Sequence, residues 1–283
     1  MVCIVLSSSA HATCDYGPLR RAGLFNNAMN FLTPRHQLLT LHRSGHGLSP
    51  MGWVVDETDF DLIADQLQGA EQLHFDAEGL LIDGLRVKNI GPQRGLTLGQ
   101  QGLVTTQTLR QTLRCSPAQT GLFGGLDTLV ASPVVGELQQ MQRQFADWLL
   151  GGEVDWTAFI GKGPGLTPSN DDTLVGMLLV AYCDSRVNPS QLAPFFAHSK
   201  PLAGLTTLVS HHYLAYAARG IFSSPLLAIA HGLLAPQTLL PAVRDLLNVG
   251  HYSGADALLG IWLAAQTINQ LHSVSTSPHF ATC

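Results

Sequence analysis

The hydrophobic pattern of this 283-residue chain changes period once, near residue 100, and that change restricts the fold more than any other feature. Before it, apolar residues come in short runs broken by turn formers. Phe25–Leu32 and Leu38–Leu41 flank Thr33-Pro34-Arg35, Ser44-Gly45-His46-Gly47 reads as a turn, and Gly52–Val55 resumes an extended run. One helix interrupts them: Asp56–Gln68 carries Phe60, Ile63, Ala64 and Leu67 at helical spacing. Gln72–Phe75, Leu80–Ile82 and Leu85–Val87 then form a meander, with Asp83-Gly84 as a tight hairpin turn. Beyond the change, apolar stripes predict helices over Val104–Leu113, Val134–Leu150, Asn170–Cys183, Leu205–Arg219, Pro225–Leu234, Leu239–Leu247 and Gly254–Leu271. Strands first and helices second argue for α+β and against a doubly wound parallel sheet. The expected layout is a β-rich, meander- or barrel-like part over 1–130, a helical part over 131–272 and a loose tail over 273–283.

Charge narrows the function classes. The net charge is −5 and no run of Lys or Arg longer than the pair Arg20-Arg21 appears, so the basic stripe that nucleic acid requires is missing. A basic amphipathic helix for a membrane surface is missing as well. The apolar runs Leu174–Cys183 and Ala257–Ala265 fall short of the roughly 20 residues of a spanning helix. The apolar start has no basic residue before it and too short a core for a signal peptide. Five scattered cysteines without a Cys-x-x-Cys pair suit reduced thiols in a cytoplasm and offer no zinc site. Only 12% of residues are charged, which suggests that a partner covers part of the surface.

The most unusual stretch is Gly161-Lys162-Gly163-Pro164-Gly165-Leu166-Thr167-Pro168-Ser169-Asn170-Asp171-Asp172. Three glycines in five residues let backbone bend tightly and approach a ligand closely. Pro168 biases Thr167 to an extended conformation before a helix begins, so Ser169 is the expected N-cap and Asp172 its capping-box partner. The stretch is neither a Walker A loop nor a dinucleotide fingerprint nor a nucleophile elbow. It fits two readings. As a ligand site, free N–H groups of Gly161, Gly163, Gly165, Thr167, Ser169 and Asn170, with Lys162 nearby, would hold a small anion, while Asp171 and Asp172 would accept from a carbamoyl –NH2 or bind Mg²⁺. As architecture, Ser-x-x-Asp is ordinary capping and acidic residues in a first turn oppose the helix dipole.

The stretch has an echo. A shift of 84 positions lays Ser169–Ala181 on Ser253–Ala265, matching Ser169 with Ser253, Asp172 with Asp256, and Gly176 with Gly260. Glycine inside a helix costs about 1 kcal/mol relative to alanine, so close helix packing should offset it. The expectation is that the two helices cross at these glycines and bring Ser169 and Ser253 together. His251, just before the second serine, would join that cluster, and His42 and Arg43 could present an anion site after a strand or simply occupy a hairpin turn.

The same residues carry a resemblance. Gly-Lys-Gly-Pro-Gly-Leu-Thr-Pro-Ser-x-Asp-Asp is similar to the hallmark of the AllH-type subunits of oxamate carbamoyltransferase, as are Leu38–Gly45, Gly121–Gly124, Ser223–Leu227 and Ser253–Asp256. The resemblance implies phosphorolysis of oxalurate to oxamate and carbamoyl phosphate during anaerobic allantoin use. It also implies partner subunits of the AllF (FdrA-like) and AllG types. It assigns no catalytic residues, so Lys162, Asp171 and Asp172 as catalytic groups, and the substrate contacts at Ser253 and Asp256, rest on the chemistry above.

Overall fold

The computed structural model describes residues 1–99, 101–192 and 194–275; of the expected loose tail, 273–275 are helical and 276–283 lie outside the described residues. The chain divides into two compact units, Met1–Thr97 with Ile221–Pro225, and Leu98–Gly220 with the segment from Leu226 onward.

The first unit holds β1 (Val2–Ile4), β2 (Ser7–Ser9), β3 (Gly17–Pro18), β4 (Arg20–Leu24), β5 (Ala28–Leu32), β6 (Leu38–Arg43), β7 (Gly52–Val55), α1 (Glu57–Gly69), β8 (Leu73–Asp76), β9 (Gly79–Ile82), β10 (Leu85–Lys88) and β11 (Gln93–Arg94). They form two open sheets, ordered β1-β10-β9-β8-β3 and β11-β2-β7-β6-β5-β4, and neither closes into a barrel. One buried cluster draws on both sheets and α1: Met29, Phe31 and Leu41 meet Phe75, Leu80 and Val87, with Phe60 and Ile63 from the helix. Burying such side chains stabilises by about 1.5–3 kcal/mol each. The α1 start is capped by a side chain, Asp59 N donating to Asp56 Oδ1 at 2.8 Å.

The two turns differ. Asp83-Gly84 joins β9 to β10 as a two-residue hairpin with both residues at positive φ, 42° and 87°. The segment after β6 is no hairpin. β6 and β7 run parallel, so Ser44–Met51 is a crossover, with Gly45 and Gly47 at φ 84° and 80° bending it back. Leu48 N and Ser224 Oγ clasp this crossover at 2.9 Å.

The second unit holds α2 (Thr106–Arg114), the short pair β12 (Gln119–Thr120) and β13 (Gly124–Gly125), then α3 (Leu126–Ala131), α4 (Gly136–Leu149), α5 (Ser169–Cys183), α6 (Leu208–Ala217), α7 (Ser224–Leu234, its first two residues counted with the first unit), α8 (Leu239–Leu247) and α9 (Ser253–Ser275). The units part near residue 97, not near 130. Leu109, Leu113, Leu126 and Val130 are buried, and α2 and α3 contact α9, so both helices go with the helical unit. Among the described residues no helix is long and apolar enough to cross a membrane.

α5 is the axle of this unit. Every residue from Ser169 to Ala181 is buried, the polar first turn included. A helix apolar all round belongs inside a core. Its main neighbour is α9, whose residues Gly254–Ala265 are likewise buried.

Candidate functional site

The packing of α5 on α9 follows the 84-residue echo. A Cβ on Gly176 would overlap the carbonyl oxygen of Ala257, and one on Gly260 would overlap that of Thr173. Residues 173 and 257 are themselves related by the same shift, so each helix lends a glycine to the other's backbone at equivalent points. Close approach is the compensation for glycine inside a helix. Thr173 Oγ1 reaches Asp256 O at 3.3 Å across the same seam.

At the helix starts the exchange continues through side chains. Thr167 Oγ1 lies 3.4 Å from Ser253 Oγ. The Ser253 and Thr167 hydroxyls act on the Asp172 carboxylate, and the Ser169 hydroxyl acts on that of Asp256. Each Ser-x-x-Asp therefore serves the other helix. This corrects the capping-box reading. Pro168, not Ser169, occupies the N-cap position of α5 with no side-chain cap bond, and its carbonyl accepts from Asp171 N and Asp172 N at 2.9 and 3.2 Å. With Ser169 already helical, its hydroxyl lies toward α9 and away from its own first turn.

The two carboxylates are expensive to keep there. Burial pushes Asp172 well above the ordinary carboxylate range; the Ser253 and Thr167 hydroxyls oppose the shift, while the charges of Asp256 and Asp171 add to it. Asp256 is pushed up to about 6 by burial, against the Gly121 N–H and the Ser169 hydroxyl. Gly121 N donates to Asp256 Oδ1 at 3.1 Å and Oδ2 at 3.3 Å. Gly121 sits so close that a Cβ there would overlap Ser169 Oγ. Asp172 Oδ2 and Ser169 Oγ are buried and make no hydrogen bond of normal geometry, the Ser169 hydroxyl lying near the Asp256 carboxylate without bonding to it, which is rare for polar atoms inside a protein. Thr167 and Ser253 are half-buried, and Asp172 is 7% accessible with its Oδ2 buried.

The rest of the glycine loop is clasped. Gly161 N donates to Asp171 Oδ1 at 2.7 Å, while Asp171 Oδ2 accepts from Ser210 Oγ at 2.6 Å and from Thr206 Oγ1. Asp171 thus ties the loop to the start of α6, and both its oxygens are in use. The main chain of Gly161, at φ 82°, rests against Leu205 O, and that of Gly163, at φ 123°, rests against Ser169; Gly165 has open space beside it. Asn170 N donates to Lys162 O at 3.0 Å. Of the loop amides expected to be free for an anion, those of Gly161 and Asn170 are occupied, by Asp171 Oδ1 and Lys162 O. Buried carboxylates beside the loop would repel an anion further.

Glu137, which sequence reasoning missed, anchors the loop from α4. Its Oε1 accepts from Asn170 Nδ2 at 2.6 Å and its Oε2 pairs with Lys162 Nζ at 3.0 Å. Burial alone would raise the Glu137 carboxyl; hydrogen bonds from Asn170 and Lys162 outweigh it and hold it low. Lys162 is thereby committed to a carboxylate and lies 5.8 Å from the Phe159 ring. No signal short of the fold links positions 137, 162 and 170.

The remaining candidates take other roles. His251 is exposed and sits edge-on to Tyr252, with ring centroids 4.2 Å apart. His42 and Arg43 belong to the first unit. His42 Nε2 lies 2.7 Å from Ser49 Oγ, both buried, and burial with the nearby His46 lowers His42 to about 4. Arg43 pairs with Asp61 at 2.5 Å and lies over the Phe60 ring. Among the described residues no cluster of three or more His, Cys, Asp or Glu side chains could hold a metal, and Asp171 and Asp172 serve different partners, so they do not fit a shared Mg²⁺.

Residues 159–265 match the family model of the oxamate carbamoyltransferase subunit AllH, and residues 22–91 match the AllH family N-terminal domain. The chain belongs to the AllH family. The first of these AllH matches opens just before the glycine loop and closes where the echo in α9 ends, so it contains both members of the helix pair. The AllH N-terminal match runs from within β4 to just past β10 and takes in strands of both sheets of the first unit. No solved structure matches the chain.

Proposed function

We propose that this chain acts within a cytoplasmic oxamate carbamoyltransferase, assembled with AllF- and AllG-type subunits, and that its Asp172–Asp256 cluster receives the carbamoyl –NH2 of the substrate. The family match supports the enzyme; the observation that carries the site is a pair of buried aspartates, with an unpartnered oxygen on Asp172 and an unpartnered hydroxyl on Ser169 in the same first turn of α5. At neutral pH a pair whose members both titrate high retains a proton. One carboxylate then accepts and one carboxylic acid donates, which complements the N–H and C=O of a primary amide. Oxalurate, oxamate and carbamoyl phosphate all present that group. The carboxylate or phosphate end of these substrates would be bound elsewhere in the assembly, because the cluster is negative. Phosphorolysis of oxalurate in allantoin breakdown is the reaction this reading serves.

The test is Asp172→Asn in the assembled enzyme, with oxamate release as readout and subunit association checked by size-exclusion chromatography. Loss of one charge-assisted hydrogen bond, about 1.5–3 kcal/mol, lowers turnover by roughly 10- to 100-fold with assembly intact. Unchanged turnover in an intact complex would sink the proposal. It would leave a second reading, favoured by the bonds of Gly161, Asn170 and Asp171 within the chain, in which the glycine loop only shapes an assembly subunit.

A further inference from the structure

A second site lies further along α9, lined from one face of α2. Thr106, Gln107, Arg110, Gln111 and Arg114 recur at helical spacing along an open groove of about 970 Å³ that Trp262, Gln266 and Gln270 line from α9. Gln266 is ten residues beyond Asp256, which places it about 15 Å further along the helix and separates the groove from the aspartate pair.

The groove has the opposite chemistry to the aspartate cluster. Arg110 and Arg114 are exposed, one turn apart, and among the described residues neither pairs with a carboxylate. No Asp or Glu lines the groove, in a chain whose net charge is −5. Trp262 is 4% accessible and its indole Nε1 is buried without an acceptor. Two guanidinium groups one turn apart match the several oxygens of a phosphate chain, since arginine binds phosphate through paired N–H donors. Gln107 and Gln111 add amide donors and acceptors along the same face. The volume stands at the upper end of the roughly 300–1,000 Å³ of ligand sites, more than inorganic phosphate can fill.

We infer that this groove binds a phosphate-bearing metabolite of nucleotide size, held by Arg110 and Arg114 and read by the surrounding amides. The inference is independent of the amide site, since it uses different residues and a ligand of opposite demand.

The test titrates the full chain with ATP, pyrophosphate and orthophosphate, following heat and tryptophan emission, beside Arg110→Gln/Arg114→Gln. Both arginines are exposed, so the double variant should melt as the parent does. The expected result is saturable binding of ATP, weaker binding of pyrophosphate, little or none of orthophosphate, and at least a tenfold loss of ATP affinity in the double variant. Equal affinity for ATP and pyrophosphate would confine recognition to the phosphates and overturn the nucleotide-size claim. No saturable binding at millimolar ATP, or affinity unchanged in the double variant, would overturn the site altogether. Loss of partner-subunit association in that variant, without ATP binding in the parent, would overturn it in favour of a protein docking face.

Discussion

Replacing Gly260 with alanine probes the helix pair on which the proposed amide site depends. The new Cβ would fall on the Thr173 carbonyl, with the Thr173 Cα only 3.0 Å away. Ordinary contact begins near 3.4 Å, so the α5 backbone must withdraw by more than an ångström along a seam filled by Leu174, Met177, Leu178, Leu258 and Ile261. Overpacking costs about 1–3 kcal/mol, and obstruction by main chain, which has no rotamer to escape into, places this case at or above the upper end. Alanine returns about 1 kcal/mol of helix propensity. The balance is a destabilisation of about 2 kcal/mol, or roughly 4–8 °C in the melting midpoint of a unit this size. Differential scanning calorimetry of the full chain measures it, with Gly69→Ala as control. Gly69 ends α1 with nothing within 4 Å of its Cβ position, so alanine there should be neutral or stabilise slightly. A Gly260→Ala protein as stable as its parent, beside a well-behaved control, would refute the view that these glycines exist for close approach.

Two further predictions concern pH. The folded state raises the Asp256 carboxyl from 3.8 to about 6, so stability falls as pH climbs between these values and levels off above, by about 3 kcal/mol in all; Asp256→Asn should remove this slope and be the more stable protein at pH 7–8 in urea titrations. His42 behaves in the opposite direction: with its pKa lowered from 6.5 to about 4, the first unit is fully stable above 6.5 and loses stability as pH falls toward 4, and melting curves of His42→Gln should lack that acid-side loss.

What the sequence made legible was whatever depends on neighbours in the chain. Asp83-Gly84 specified its hairpin because two residues at positive φ suffice, and Asp56 specified the start of α1 because the cap bond spans three residues. The 84-residue echo was legible too, and the glycine crossing followed from it, because a costly residue repeated at one offset needs a compensating contact. The failures are all choices between partners. Ser-x-x-Asp reads identically whether the serine caps its own helix or meets the aspartate of another, and here the second holds. Ser44–Gly47 reads as a turn whether the next strand returns antiparallel or crosses to lie parallel, and register with β7 decides it. Glu137 was invisible as a site residue because nothing in its local spacing refers to Lys162 or Asn170.

The exchange between the two helices also explains how two aspartates can remain buried so close together. An isolated buried carboxylate takes up a proton to escape its desolvation cost, and a second charge nearby strengthens that tendency. Here Gly121 N and the crossed hydroxyls of Ser169, Ser253 and Thr167 supply the opposing stabilisation, but they leave Asp172 Oδ2 and Ser169 Oγ unmatched. A purely structural seam gains nothing from that deficit, since apolar side chains of similar size would pack there at lower cost. A carbamoyl group in the proposed site would remove it, its N–H groups meeting the free carboxylate oxygen and its carbonyl the retained proton. Asp256→Asn would relieve the charge the pair bears above pH 6 and, on the proposed reading, would remove one side of the carbamoyl contact with it. On this reasoning the two effects must oppose each other: a substitution that relieves the empty pair should weaken the filled one.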